Sequence, residues 1–585
     1  MTMLKRFFHS SFFWPVLLLV LIIPTFSFLI KPGLYWNMHD DMQLVRQLEM
    51  DKCLKDGQIP CRWTPDLGYG YGYPLFNFYP PLPYLVGEII HLTGFSYVET
   101  VKIGTILLIS FSALAMYLLG KELKGPFAGF LAGLFYTYAP YHAMNIFVRG
   151  AFNEAWASLF FPLILLFSYK YFKNLKNSTS LLTTNYSLFT PLLLLSLSWA
   201  GLFLSHNPMA LTFVLFFAPW CLYWYLTITK KIDFKIVLPL VYSGLFALAL
   251  SAFFTLPVLF ESKLTQIESM FENYYHYGVH FLSIKQLLFS NFWGDGPSVW
   301  GYPDAMSFSI GYLYWLIPLI ILIFYSVKFF KNRSFKNFLP ILIVLLGFFG
   351  VIMTHERFSF LWIILSPIQK IQFPWRFLNH SLFFFSLSFI FIPEIIDSFS
   401  KKLKYFILPV LVIAVISLNY KFFFPISYGP LKDAEKFSGL AWTNQITSGI
   451  YDYLPKTAST AAKAPAKEIL DAVDPADASF ELLSFKKGTN WWLFNLKNQD
   501  QAKFTLSTLY FPNFEIYDNN QLIDYEIEPE LGRIVISLSP GEHQIYLRFV
   551  DTPIRKISNY ISLFAWIYIL VYSFSLLWKT KKSKI

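Results

Sequence analysis

Roughly twelve apolar runs, each long enough to cross a bilayer, alternate along this chain with short basic segments. They lie near 11–30, 98–120, 126–147, 154–172, 186–205, 209–228, 236–258, 308–329, 338–354, 377–397, 403–424 and 560–578. This pattern admits only a bundle of membrane-spanning helices, because backbone polar groups in lipid must be paired within their own segment. The composition agrees: 55% of residues are hydrophobic and 14% charged, against about a quarter charged in soluble domains. The net charge of +11 does not point to nucleic acid, because the lysines sit in small clusters between apolar runs.

Those clusters set the topology. Lys5-Arg6, Lys121/Lys124, Lys170/Lys173/Lys176, Lys230/Lys231/Lys235, Lys328/Lys331/Arg333/Lys336, Lys401/Lys402/Lys404 and Lys579/Lys581/Lys582/Lys584 fall on one side. The positive-inside rule makes that side the cytoplasm, with both termini inside. The assignment requires that 78–95 does not cross. That stretch is short and opens with Tyr79-Pro80-Pro81-Leu82-Pro83, so a helix at the outer interface is expected. The run 11–30 exceeds a signal-peptide core and lacks a small-residue cleavage site, so an uncleaved first span is expected.

Three divisions follow. Residues 1–424 form a transmembrane domain with outer loops 31–97, 259–307 and 355–376. Residues 425–559 form an extracytoplasmic linker and β-domain, and 560–585 a final span with a basic tail. In 457–477 the composition turns to Ala, Lys, Pro and Asp, as in a linker. Beyond it, 491–496, 503–509, 513–517, 533–538 and 543–550 alternate as strands do, with turns at Asp518-Asn519-Asn520 and Pro540-Gly541. The expected fold is a polytopic α-helical membrane protein carrying a C-terminal β-sandwich-like domain.

The polar residues that stand out lie at the outer ends of spans. His39-Asp40-Asp41 follows the first span; two adjacent carboxylates at a membrane surface are costly and suggest proton abstraction or cation binding. The same loop holds Arg62 and the run Gly68-Tyr69-Gly70-Tyr71-Gly72-Tyr73, in which Tyr69 and Tyr71 offer flat faces to a sugar. An ordinary interfacial aromatic belt is the plainer account of the tyrosines. Arg149-Gly150-Ala151-Phe152-Asn153-Glu154 forms a short outer turn. Glu154 also suits the start of a helix and Arg149 the end of one. His206 sits in the turn Ser205-His206-Asn207-Pro208, where a histidine is more often a turn residue than a ligand. Arg376, beside Trp375, matches an anionic headgroup or a snorkelling anchor. With Asp40 and Glu154, His39 and His206 supply weak candidates for a divalent cation. Cys53 and Cys61 share the first loop, compatible with a disulfide or with free thiols. No phosphate-binding glycine loop, dinucleotide fingerprint or Cys-x-x-Cys pair is present.

Asp40-Asp41, Glu154 and Tyr79-Pro80-Pro81-Leu82-Pro83-Tyr84 together resemble the motifs of GT-C type glycosyltransferases, which use polyprenyl-phosphate sugars. Asp41 departs from the glutamate usual at the second acidic position. Phe373-Pro374-Trp375-Arg376-Phe377-Leu378 and Tyr451-Asp452-Tyr453-Leu454-Pro455 are similar to bacterial membrane proteins labelled "pyruvoyl-tetrahydropterin synthase related". Tyr510-Phe511-Pro512-Asn513 and Pro540-Gly541-Glu542-His543 resemble YfhO-type membrane proteins. The GT-C resemblance implies sugar transfer on the outer face of a bacterial plasma membrane. The donor would be a polyprenyl-phosphate sugar and the acceptor a glycan, lipid or protein. It implies Asp40 as general base, with Asp41 and Glu154 orienting the acceptor or holding a metal. Arg149, Arg376 and Arg62 would bind the donor phosphate, and Tyr69, Tyr71, Trp375 and Asn153 the sugar or acceptor. A non-catalytic transport, flipping or binding protein for lipid-linked glycans is the other class that fits.

Overall fold

A computed structural model describes residues 12–177, 186–299 and 304–582. The Lys5-Arg6 cluster lies outside the described residues. Among these, nine helices are long and apolar enough to cross a membrane, or ten if one bent pair counts as a single span. The chain is a polytopic helical membrane protein with β-sheets near its C-terminus.

The difference from twelve expected spans has local causes. The first run forms a helix over Phe13–Leu21 and then tightens to a 3-10 turn at Ile23–Phe26, where Pro24 removes a backbone donor. The run 126–147 stops after the Pro126–Thr137 helix and resumes as Pro140–Ala143. The seventh run splits into Phe234–Leu250 and Ala252–Glu261, joined through Ser251. By contrast, Tyr97–Lys124, Phe152–Lys176, Tyr312–Asn332 and Pro553–Lys582 are continuous. The helix Leu82–His91 has ten residues, a rise of only about 15 Å, too short for the ~30 Å hydrocarbon core.

The chain divides into two compact units. The first contains the described residues up to Asp41 together with Val98–Ala247 and Phe271–Leu431. It holds most of the spanning helices and a small antiparallel pair, β1 (Leu34–Trp36) with β2 (Tyr428–Pro430). The helix Phe377–Ser388 is buried along its whole length, including Asn379, His380, Ser381, Ser386 and Ser388. Ser158 donates to Asn379 Oδ1 at 3.0 Å, and Thr212 Oγ1 lies 2.7 Å from His380 Nε2, so some of these polar groups are paired between helices.

The second unit contains Met42–Tyr97, Leu248–Met270 and Lys432–Ile585. Its two antiparallel sheets are β3 (Leu470–Asp474), β6 (Ala502–Leu509), β10 (Arg533–Leu538) and β9 (Glu526–Ile527) in one, and β4 (Phe480–Lys487), β5 (Trp491–Asn498), β11 (Gly541–Phe549), β7 (Phe514–Asp518) and β8 (Gln521–Leu522) in the other. Alternate residues of both sheets, among them Phe494, Leu496, Phe504, Leu506, Ile534, Ile536, Ile545 and Leu547, enter one core. Strands β3, β4, β8 and β9 go beyond the expected set; β3 lies inside the stretch read as a linker. The loop 42–97 belongs to this unit and contributes Trp63, Leu67, Tyr71 and Tyr73 to the same core. Cys53 and Cys61 form a disulfide, and Cys221 is free.

Candidate functional site

The first unit gathers a charged cluster around Glu154. Its carboxylate is 1% exposed and stands in the first turn of the Phe152–Lys176 helix. Before it the backbone passes through a π-helical turn, Met144–Val148, and then Gly150 at φ +64°. The wide turn puts Tyr141, Asn145 and Arg149 on one face, four residues apart. Gly150 allows the sharp reversal, and a Cβ there would fall 2.4 Å from Met38 Sδ.

Every oxygen of Glu154 is engaged. Oε1 accepts from Tyr141 OH at 2.6 Å and from Asn145 Nδ2 at 3.3 Å. Oε2 accepts from Arg149 Nη1 at 2.7 Å and from Arg376 Nε at 3.2 Å. Arg149 and Arg376 are only 7% and 9% exposed, so one carboxylate holds two guanidiniums in a nearly dry setting. Arg149 Nη1 also donates to Asn145 Oδ1 at 2.5 Å, and its guanidinium lies over the Trp375 ring at 4.3 Å. Arg376 Nη1 donates to Ile371 O at 2.6 Å and Gln372 Oε1 at 3.0 Å. Trp375 in turn stacks on Phe373, centroids 4.6 Å apart.

Asp40 is tied to this cluster through the backbone. Its N–H donates to the Arg149 carbonyl at 3.0 Å, and His39 N–H to the Val148 carbonyl at 3.0 Å. The Trp36 indole donates to Ile146 O at 3.0 Å and anchors the preceding strand. Asp40 and Asp41 are both partly exposed, and Asn153 is buried. His206 lies in the same electrostatic neighbourhood: burial, then the Arg376 charge, pushes its imidazole down to about 3.

Several predicted site residues are engaged elsewhere. Arg62 belongs to the second unit, where it pairs with Asp551 at 3.0 Å and donates to Asn77 and Asn559 at 2.8 and 2.7 Å. Burial pushes its guanidinium down to about 10 despite Asp551. These contacts tie Arg62 to Asp551, Asn77 and Asn559 within the second unit. Tyr71 is buried in that unit and donates to Asp471 at 2.7 Å; burial and Asp471 push the phenol up. Tyr69 is partly buried at φ +63°, with its N–H bonded to Ile446 O at 3.0 Å.

A divalent cation fits poorly. The described residues contain no group of three or more His, Cys, Asp and Glu that could hold one. Glu154 already serves two guanidiniums, a phenol and an amide. His39 Nε2 is 2.8 Å from Asp295 O, and His206 Nδ1 accepts from Met209 N–H at 3.1 Å. Tyr141, Asn145 and Gln372 complete the cluster without having been singled out from sequence. Their signal is the spacing of Tyr141, Asn145 and Arg149 within an otherwise apolar run.

No protein-family model matches the chain. An uncharacterized protein of Lactococcus lactis subsp. cremoris is 27% identical over 262 residues, which cover 42% of this chain and 39% of that protein. The match thus spans well under half of that relative. Among solved structures, the chain is similar to the apo oligosaccharyltransferase of Archaeoglobus fulgidus, at 12% identity and TM-score 0.45, covering 78% of this chain and 61% of that one. The same archaeal enzyme with an inhibitory peptide and a dolichol-phosphate gives 13% and 0.43, covering 79% and 62%. The arabinofuranosyltransferase AftD from mycobacteria gives 14% and 0.43, covering 73% and 28%.

Proposed function

We propose that this protein transfers a sugar from a polyprenyl-phosphate donor to an acceptor hydroxyl at the outer face of the membrane. The observation that carries the reading is the pair Arg149 and Arg376, held side by side by Glu154 and joined through the Arg149 carbonyl to Asp40. Two buried guanidiniums sharing one carboxylate keep a net positive charge, which suits a phosphate in a low-dielectric site. Arg149 bonds its neighbours through Nη1, and Arg376 through Nε and Nη1; in this reading their other N–H groups donate to the phosphate.

In this mechanism Asp40 accepts the proton of the acceptor hydroxyl. The acceptor oxygen forms a bond to the anomeric carbon from the face opposite the phosphate. The bond between that carbon and the phosphate oxygen breaks, its electron pair leaves with the phosphate, and the configuration inverts. Arg149 and Arg376 stabilise the charge that grows on the departing phosphate. Glu154 works through the arginines as their positioning counter-ion, and no step requires a metal. In this reading Asp41, Asn153 and Trp375 orient the sugar or the acceptor. The lysine clusters support an outward-facing site and cytoplasmic termini.

The test is product formation by the purified protein in lipid nanodiscs, supplied with a panel of polyprenyl-phosphate sugars and simple glycoside acceptors. Acceptor modification with stoichiometric release of polyprenyl phosphate is expected. Binding of the donors without turnover across the panel would favour a binding or flipping protein.

A further inference from the structure

The segment that delivers Arg376 begins with a tight turn. Gln372 stands at φ +66° and ψ −52°, and the Phe373 N–H donates to Ile371 O at 2.7 Å. This is a γ-turn of the rare, strained hand, on a residue that carries a side chain. Such a conformation persists only where its surroundings over-determine it. Here the turn presents two acceptors to Arg376 Nη1, Ile371 O at 2.6 Å and Gln372 Oε1 at 3.0 Å. It also sets the Phe373 ring against the same guanidinium, 5.0 Å from the ring centroid.

The two arginines and the two rings are matched. Arg149 lies over Trp375 at 4.3 Å and Arg376 over Phe373 at 5.0 Å. The rings themselves stack, with centroids 4.6 Å apart and planes 15° from parallel. His280 meets Phe373 edge-on at 4.7 Å and Phe308 meets Trp375 at 5.4 Å, so the stack is braced by a further stretch of the same unit. The charge balance gives the rings a purpose. Glu154 pairs with both guanidiniums and leaves one positive charge in excess. A second carboxylate would also hold the arginines, but it would cancel that charge. An aromatic face attracts a cation through its quadrupole and adds no charge of its own.

We propose that Phe373 is a positioning residue of the phosphate site, its ring holding Arg376 directly and Arg149 through Trp375. This rests on the phosphate-binding reading of the site. The ligand chemistry is a phosphate ester, and the membrane setting favours a lipid-borne one. Phe373 touches no phosphate itself. It orders the two guanidiniums beforehand, so that binding does not have to order them, and it does so without spending the positive charge that the phosphate requires.

Ring fluorination tests this while nearly preserving shape. Each added fluorine withdraws electron density from the ring face and weakens its attraction for a cation. The full-length protein is prepared with phenylalanine and with mono-, di- and trifluorophenylalanine at position 373, and Arg376→Gln serves as reference. Binding of a polyprenyl monophosphate, the matching polyprenol and inorganic phosphate is measured for each. Affinity for the polyprenyl monophosphate is expected to fall stepwise along the series, by about fivefold at the trifluoro ring, while polyprenol affinity stays at the wild-type value. Monophosphate affinity that does not fall along the series, with loss in Arg376→Gln, would overturn the role of Phe373 alone. A polyprenol affinity that falls in step with that of the monophosphate would mean that the ring serves packing, and would overturn it too. Wild-type affinity in Arg376→Gln would overturn the phosphate site itself, and the role of Phe373 with it. Competition by inorganic phosphate at the concentration of the lipid would overturn the lipid source, whereas its failure to compete supports it.

Discussion

Arg376 and Glu154, 222 positions apart in the chain, meet with Nε 3.2 Å from Oε2 on the oxygen that also accepts from Arg149 at 2.7 Å. One carboxylate thus joins the Phe152–Lys176 helix to the start of the segment leading into Phe377–Ser388. A glutamate so committed is a weak metal ligand and a weak base. It is a strong positioning group, because the two guanidiniums would otherwise repel each other in a dry site.

Removing that counter-ion is expected to cost stability first. Glu154→Gln leaves two buried guanidiniums without compensation, a loss of about 3–5 kcal/mol. Thermal unfolding in detergent should show a large fall in midpoint. A variant that pairs Glu154→Gln with Arg149→Met should recover part of it. An unchanged midpoint in the single variant would mean that the ion pairs do not hold this site together.

The turn at Gly150 positions Asp40 through the neighbouring Arg149 carbonyl. Gly150 has φ +64°, and a Cβ would lie 2.4 Å from Met38 Sδ and 3.0 Å from Met38 Cβ. Gly150→Ala is expected to cost about 1–2 kcal/mol from backbone strain alone, and to lower turnover through the shifted turn. Met38→Ala in the same chain should restore part of the packing loss but none of the backbone strain. Differential scanning fluorimetry alongside turnover separates the two.

In the second unit, Glu49 is fully buried, and burial followed by the Asp66 charge raises its carboxyl well above the usual range, with Lys52 opposing. Lys52 pairs with Asp66 beside it. A native pKa above the unfolded one penalises the ionised form. That penalty is absent below the ordinary glutamate range near about 4.3 and grows as pH rises through the raised native value. Glu49→Gln should therefore be more stable than wild type at pH 8 and indistinguishable from it near pH 4. A variant that loses stability most at high pH would show that the ionised carboxylate is favoured instead.

The Cys53–Cys61 bridge closes a loop that grips the β4–β5 turn: Asp56 Oδ2 accepts from Thr489 N at 2.7 Å and Thr489 Oγ1 at 2.8 Å, and Gln58 Nε2 donates to Thr489 Oγ1 at 3.0 Å. Replacing both cysteines by serine is expected to cost about 2–3 kcal/mol, as for any short closed loop. Asp56→Ala in the bridged protein should cost less, because the loop stays closed. Equal losses would place the stabilisation in the Asp56 contacts rather than in the bridge.

The long spans were legible because an uninterrupted apolar run such as Tyr97–Lys124 has one outcome in lipid. The broken ones were not, since hydropathy averages over Pro24, Pro140 and Ser251 without registering that the helix ends there. In the β-domain, alternation located β5, β6, β7, β10 and β11. Strand β4 is exposed along its length, so its pattern carries no buried face to detect. Arg149, Glu154 and Arg376 were readable as polar residues at span ends, and the structure brings them together. Arg62 was not separable from them by sequence, because its partners Asp551 and Asn559 come from the far end of the chain. Tyr141 and Asn145 were not singled out from sequence, because only the π-helical turn aligns them with Arg149.

The most direct test is single-turnover transfer by Asp40→Asn in the purified, full-length protein loaded with a polyprenyl-phosphate sugar. Asp40 is partly exposed, so the variant should fold and retain wild-type affinity for the donor. Donor binding is expected to persist while transfer falls by at least about a hundredfold, the scale of a lost general base. Transfer at the wild-type rate, with donor binding intact, would contradict it.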